Sequence, residues 1–167
     1  YEYAQEHVFD VLGLKHTCYF PLIYDPAVSN SAELARLCAP TEVQADGKPL
    51  TAQVHDPMAR RIMGGNSGNA GVFSNAEDLS VICAALMNGG CLVDKKGSAL
   101  ESTRILSPAT VRLMTRIPSQ NAPSVGRALG WDKKSPHSGL RGDLFNPETT
   151  IMHTGYTGTS IVIDMGS

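Results

Sequence analysis

The chain lacks any apolar run near the roughly 20 residues that a bilayer-spanning helix requires, which excludes a membrane span from residues 1–167. It lacks an excess of either charge as well. Lys and Arg number 14 against 16 Asp and Glu, for a net charge of −2. Such a chain has no basic stripe to track phosphates, so nucleic acid is not expected as a partner. The two basic pairs, Arg60-Arg61 and Lys133-Lys134, read as solvated surface. Cysteine is sparse, and Cys18, Cys38, Cys83 and Cys91 include no C-x-x-C pair, which removes the usual redox motif and zinc spacing. No signal peptide is visible, and Tyr1 to His7 read as the middle of a helix.

Several chemical signatures are missing too. Gly65-Asn66-Ser67-Gly68-Asn69 fails the G-x-S-x-G elbow at its last position. There is no H-E-x-x-H, and no Lys-Ser or Lys-Thr follows Gly64, Gly65, Gly68 and Gly71 as a phosphate-binding loop would need. No cofactor and no metal are expected.

What is present is enough apolar residue, 42% of 167, for one globular core. Residues 1–12 predict a helix ending at Gly13, with Ala4, Val8, Val11 and Leu12 on one side. Residues 17–70 are poor in periodicity and rich in turn formers, with a short helical turn expected from Leu34 to Leu37. A stretch of that length without regular structure suggests a functional excursion bordering a cleft. Ser74-Asn75-Ala76-Glu77 reads as a capping box, followed by Leu79, Ile82, Cys83 and Leu86 at helical spacing and by Asn88-Gly89-Gly90 as a stop. Cys83, on that apolar face, is expected as a buried thiol. Ser107-Pro108 opens a second helix with Val111, Met114 and Ile117 inward and Pro118 as its end. Arg127 to Asp132 reads as a short strand carrying the single Trp. Thr149–His153 and Thr159–Met165 read as a hairpin joined through Gly155-Tyr156-Thr157-Gly158. Phe73 and Trp131 are expected in the core. Helices in the middle and strands late predict an α+β class.

The hairpin carries the chemistry. His153-Thr154-Gly155-Tyr156-Thr157-Gly158-Thr159-Ser160 packs small residues and hydroxyls beside an apolar strand. This layout lets a backbone approach a ligand and donate N–H groups to it. Elsewhere, His55-Asp56 is either a pair lining a cleft or a loop-anchoring hydrogen bond.

Four stretches resemble the beta-lactamase-related serine hydrolases, the family of class C beta-lactamases, D-Ala-D-Ala carboxypeptidases and family VIII-type esterases. Tyr3 to Thr17 is similar to the family's helix and "P-L-G-M-x-x-T" turn, with Val11 in place of Pro. Val54-His55-Asp56-Pro57 through Gly64-Gly65 and Gly68 to Leu79 resembles the "V-H-D … G-G-x-x-G-x-A-G-L-F-S-T-A-x-D-L" segment. Ile105 to Met114 and Leu129-Gly130-Trp131 resemble the "L-S-p-x-t-v-x-x-M" helix and "G-L-G-W" strand. His153-Thr154-Gly155 stands where the family has K-T-G.

The resemblance implies part of a beta-lactamase/transpeptidase-like fold. It also implies acyl transfer from an ester, an amide or a beta-lactam, with a small-molecule or peptidoglycan-like substrate. It makes the Tyr156 backbone N–H an oxyanion donor and His153 a catalytic residue. Thr154, Gly155, Thr157 and His55 become substrate contacts. Because an imidazole is mostly neutral at pH 7 where Lys is charged, His153 is expected to favour esters, amides or a D-Ala-D-Ala peptidase role over strong beta-lactamase activity. The family's nucleophile sits in Ser-x-x-Lys, the Lys helping to deprotonate the Ser, and a second element is Tyr-x-Asn; here no Ser has Lys three positions later, and no Tyr has Asn two positions later. Ser67-Gly68-Asn69 and Ser119-Gln120-Asn121 fit the Ser-x-Asn variant only by letters. By order of motifs, residues 1–167 correspond to the C-terminal portion of one such domain. The nucleophile is then expected before Tyr1, and a last strand and helix after Ser167. The missing half of the domain would be required, and the isolated chain is expected to be inactive. A non-catalytic relative that binds peptidoglycan-like ligands or protein partners, and a split protein completed by another chain, fit the same residues.

Overall fold

The computed structural model describes residues 1–19, 36–118, 126–136, 139 and 142–166. Leu34 at the head of the expected turn, the Ser119-Gln120-Asn121 triplet and Ser167 lie outside them. Contacts divide the chain into two units, Tyr1–Leu79 and Ser80–Ser167.

In the first unit the expected helix forms, with an irregularity. Helix α1 comprises an α-helical start at Glu2–Ala4, a π-helical turn at Gln5–Phe9 and an α-helical end at Asp10–Leu12. The Asp10 N–H donates to the Gln5 carbonyl, five residues back, so the turn is widened and the chain after it rotates. Phe9, outside the expected stripe, is therefore buried with Leu12, and its ring stacks on Tyr19 at 6.4 Å between centroids. Strand β1 (Cys18–Tyr19) pairs antiparallel with β2 (Val72–Phe73), Cys18 opposite Phe73.

A buried carboxylate ties this region together. Asp78 accepts from the N–H groups of Lys15 (3.3 Å) and His16 (2.7 Å) and from the Thr17 hydroxyl (2.8 Å). Burial alone would push its carboxyl up, but these donors hold it below the ordinary range. Thr17 also shares a 2.8 Å hydrogen bond with the Ser74 hydroxyl, so Ser74 is not the cap of the next helix. Asn75 takes that role, its Oδ1 accepting the Asp78 N–H at 2.8 Å. The expected N-cap is thus displaced by one residue, with Ser74 bonded to a partner 57 positions away and the Asp78 carboxylate taken up by residues 15–17.

The region expected to lack regular structure contains helix α2 (Pro57–Arg61), whose N-cap is Asp56, accepting from Ala59 N–H at 2.7 Å. Arg60 is not solvated. It is buried, and its guanidinium donates to the Val54 and His55 carbonyls at 2.6 and 2.9 Å.

Helix α3 (Ala76–Met87) runs into the second unit. It stops where Gly89 adopts φ 71°, a conformation that only a residue without Cβ enters freely. Gly89 N–H then closes on Leu86 and Gly90 N–H on Ala85, a double C-terminal closure. Ile82, Cys83 and Leu86 face inward as expected. Cys83 is half-buried rather than buried, and that burial pushes its thiol up. Helix α4 (Pro108–Met114) is capped by Ser107, which accepts from Thr110 N–H. It ends four residues before Pro118. The Thr115 hydroxyl folds back to the Val111 carbonyl at 2.9 Å, while the buried Lys133 ammonium takes the Thr115 carbonyl at 3.2 Å. Lys133 also donates to the Glu148 carbonyl at 2.7 Å. Of the two basic pairs, one member each is structural.

Strands β3 (Thr150–Thr154) and β4 (Ser160–Asp164) form the expected hairpin, Thr150 opposite Asp164 and Thr154 opposite Ser160. Ile151 and Ile163 meet Leu86 and Val111 in a core flanked by Leu106, Trp131, Ile161 and Met165. Each such fully buried side chain stabilises by roughly 1.5–3 kcal/mol. Residues 127–132 form a tight reversal instead of a strand. Ala128 N–H donates to the Trp131 carbonyl, and Asp132 alone pairs with Met152 on β3. Trp131 is half-buried against the core and Phe73 is half-buried in the first unit. Among the described residues there are two small antiparallel sheets together with helices, compatible with part of an α+β domain. No described helix is long and apolar enough to cross a membrane.

Candidate functional site

Strand β3 changes character along its length. Thr150, Ile151 and Met152 are buried; His153 and Thr154 are exposed. The alternation expected of a half-buried strand is replaced by a block of each kind. The reason lies in β3's neighbours. Met152 exchanges backbone hydrogen bonds of 2.8 and 2.9 Å with Asp132 and faces Val162 of β4 on its other side. Beyond it the Ala128–Trp131 reversal carries the chain away.

The hairpin closes through Tyr156, Thr157 and Gly158. Gly155 N–H donates to the Thr159 carbonyl at 2.7 Å and Gly158 N–H to the Gly155 carbonyl at 3.1 Å, with Gly158 at φ 89°. A three-residue loop ending on a left-handed glycine is a common way to reverse a twisted ribbon. At Gly155 a Cβ would collide with the Thr159 hydroxyl, so this position must stay small for Thr159 to keep its place. Tyr156 stands at the tip, 94% exposed, with Thr157 exposed beside it.

The His153 ring is held from both sides. Its Nδ1 lies 2.8 Å from the Thr154 carbonyl and its Nε2 3.0 Å from Nη2 of Arg127. Nη1 of Arg127 lies 3.5 Å from Oδ2 of Asp132. That carboxylate is buried and accepts both the N–H (3.2 Å) and the hydroxyl of Ser135. Arg127, Asp132, Met152, His153 and Thr154 line a recess of about 220 Å³.

The second unit thus brings together His153, Thr154, Gly155, Tyr156 and Thr157 on one hairpin end. His55 belongs to the first unit. There its carbonyl anchors Arg60 and its Nε2 lies 3.9 Å from Glu42, while Asp56 caps α2. The loop-anchoring role of this pair is therefore present. Sequence reasoning missed Arg127 and Asp132. Neither lies in a motif, and Arg127 stands 26 positions from the imidazole it touches. Among the described residues no group of His, Cys, Asp and Glu is arranged to hold a metal ion.

An exposed His-Thr-Gly at the end of a buried strand is one local match; the whole chain supplies the rest. Residues 1–166 match the family described as Beta-lactamase. The chain belongs to the Beta-lactamase family. Among curated proteins it is 32% identical over 169 residues to a protein of Escherichia coli (strain K12) named "Putative D-alanyl-D-alanine carboxypeptidase". A protein of the same name from Salmonella gallinarum (strain 287/91 / NCTC 13346) is 31% identical. In both cases the match covers 97% of this chain and 36% of the relative. This Beta-lactamase family chain thus spans little more than a third of the length of the curated relatives it matches. The resemblance drawn from its motifs to beta-lactamase-related serine hydrolases is the family that the match gives.

Proposed function

We propose that the protein is a serine hydrolase that cleaves an ester, an amide or a beta-lactam through an acyl-enzyme, and that the outer end of β3 forms one wall of its active site. In this reading a serine hydroxyl attacks the substrate carbonyl, the leaving group departs, and water releases the acyl group. The Tyr156 N–H, first after His-Thr-Gly, donates to the oxyanion that develops, a contribution of about 3 kcal/mol to the transition state. Thr154, Gly155 and Thr157 border the substrate, with His153 at its polar end.

The observation that carries this reading is the exposure of His153-Thr154-Gly155 at the end of an otherwise buried strand, in a chain of the Beta-lactamase family. The relatives' printed names favour a peptide ending in D-Ala-D-Ala as substrate. No Ser of residues 1–167 has Lys three positions later. In this proposal residues 1–167 are therefore the C-terminal portion of the domain, and the nucleophile comes from elsewhere in the complete protein.

Labelling with a fluorescent penicillin or a fluorophosphonate tests it. The protein expressed from its complete gene should label covalently at a serine, and residues 1–167 alone should not. Absence of label on the complete protein, with retained binding of a peptidoglycan fragment, would replace the hydrolase by a binding protein.

A further inference from the structure

We propose that Arg127 is a positioning residue that fixes His153 in a single tautomer, with the proton on Nδ1 and Nε2 as hydrogen-bond acceptor. The argument is one of donors and acceptors. A guanidinium has only N–H groups to offer, so at 3.0 Å from Nη2 of Arg127 the Nε2 of His153 must accept. A carbonyl oxygen only accepts, so at 2.8 Å from the Thr154 carbonyl the Nδ1 must donate. The two contacts demand the same neutral tautomer, and no other protonation state satisfies both.

Arg127 is itself aimed. Its Nη1 faces the Asp132 carboxylate at 3.5 Å. Asp132 is held by Ser135 and by its backbone bridge to Met152 on the same strand. The chain of contacts therefore starts on β3, passes through Asp132 and Arg127, and returns to β3 one residue further on. This closed circuit sets the ring of an exposed histidine, which would otherwise sample several rotamers. The Asp132 charge offsets that of Arg127, which argues against an open anion-binding site and for a device that orients.

A consequence concerns specificity. Both ring nitrogens of His153 are engaged within the protein. The imidazole therefore borders the recess of about 220 Å³ in one fixed orientation, as a set wall against which a substrate fits and not as a freely rotating donor. That catalytic meaning rests on the hydrolase reading; the tautomer does not.

Long-range ¹H–¹⁵N correlation of the histidine rings in the complete protein tests the assignment at a pH where the rings are neutral, with His153 identified by its loss in His153→Gln. The wild type should show one signal pair with Nδ1 protonated. Arg127→Met, which removes the donor, should lose that single-tautomer signature, and Arg127→Lys should restore it in part. An Nε2-protonated ring in the wild type would overturn the proposal without any variant, and so would an unchanged tautomer in a folded Arg127→Met. An Nδ1-protonated wild type that neither labels nor turns over ester or peptide would support the tautomer while overturning the hydrolase reading.

Discussion

The two ends of the β3–β4 hairpin are made of adjacent residues and obey opposite rules. At the inner end Ile151 has no exposed surface and Ile163 is 2% exposed, and Met152 is paired on both sides. At the outer end His153 to Ser160 are all exposed, and their order comes from polar contacts: the turn bonds of Gly155 and Gly158 and the Asp132–Arg127–His153 circuit. Under the proposed function, the difference marks where stability and function separate. Burial at one end anchors the strand, so that the other end can present backbone and side-chain groups to solvent without collapsing.

The most severe test of that division is Ile151→Ala. Truncating a fully buried Ile should cost about 3 kcal/mol of unfolding free energy, read from denaturant titration of the complete protein. A loss under about 1 kcal/mol would mean that the inner end is not the anchor.

A smaller effect is expected from acid. The Thr149 hydroxyl, at 2.5 Å, and the Gly166 N–H hold the Asp164 carboxyl below its ordinary range. An unfolded Asp titrates near 3.9. The stabilisation from Asp164 is therefore present above about pH 4 and is lost as pH falls through the lower folded value. Urea midpoints measured downward from about pH 6 should fall less steeply in Asp164→Asn than in the wild type. Equal slopes would remove Asp164 from the account of the inner end.

The smallest effect belongs to the tip. Because the proposed oxyanion donor is a backbone N–H, Tyr156→Ala should lower kcat/KM less than Gly155→Ala, whose Cβ would displace Thr159. The reverse order would make the Tyr156 side chain the functional group.

The hairpin was legible in the sequence because its signals are local: short apolar runs at Ile151-Met152 and Ile161-Val162-Ile163, a glycine at the left-handed position and a polar tip. The Ser107 cap and the Gly89 stop were legible for the same reason. The family could be read because its motifs keep their order through the chain. What failed to show were contacts between distant residues. Ser74 surrendered its capping role to a hydroxyl 57 positions away. Arg60 and Lys133 looked like surface, yet each is buried against carbonyl groups that only the fold assembles. Arg127 and Asp132 carry no motif, and their relation to His153 arises from the reversal at residues 128–131.

The central claim is that the outer end of β3 serves function and the inner end stability. The kcat/KM of His153→Ala in the complete protein, measured on a peptide ending in D-Ala-D-Ala with the unfolding midpoint checked alongside, tests it most directly. The account predicts a fall of about tenfold or more, equivalent to roughly 1.4 kcal/mol, at an unaltered midpoint; full kcat/KM in the variant would contradict it.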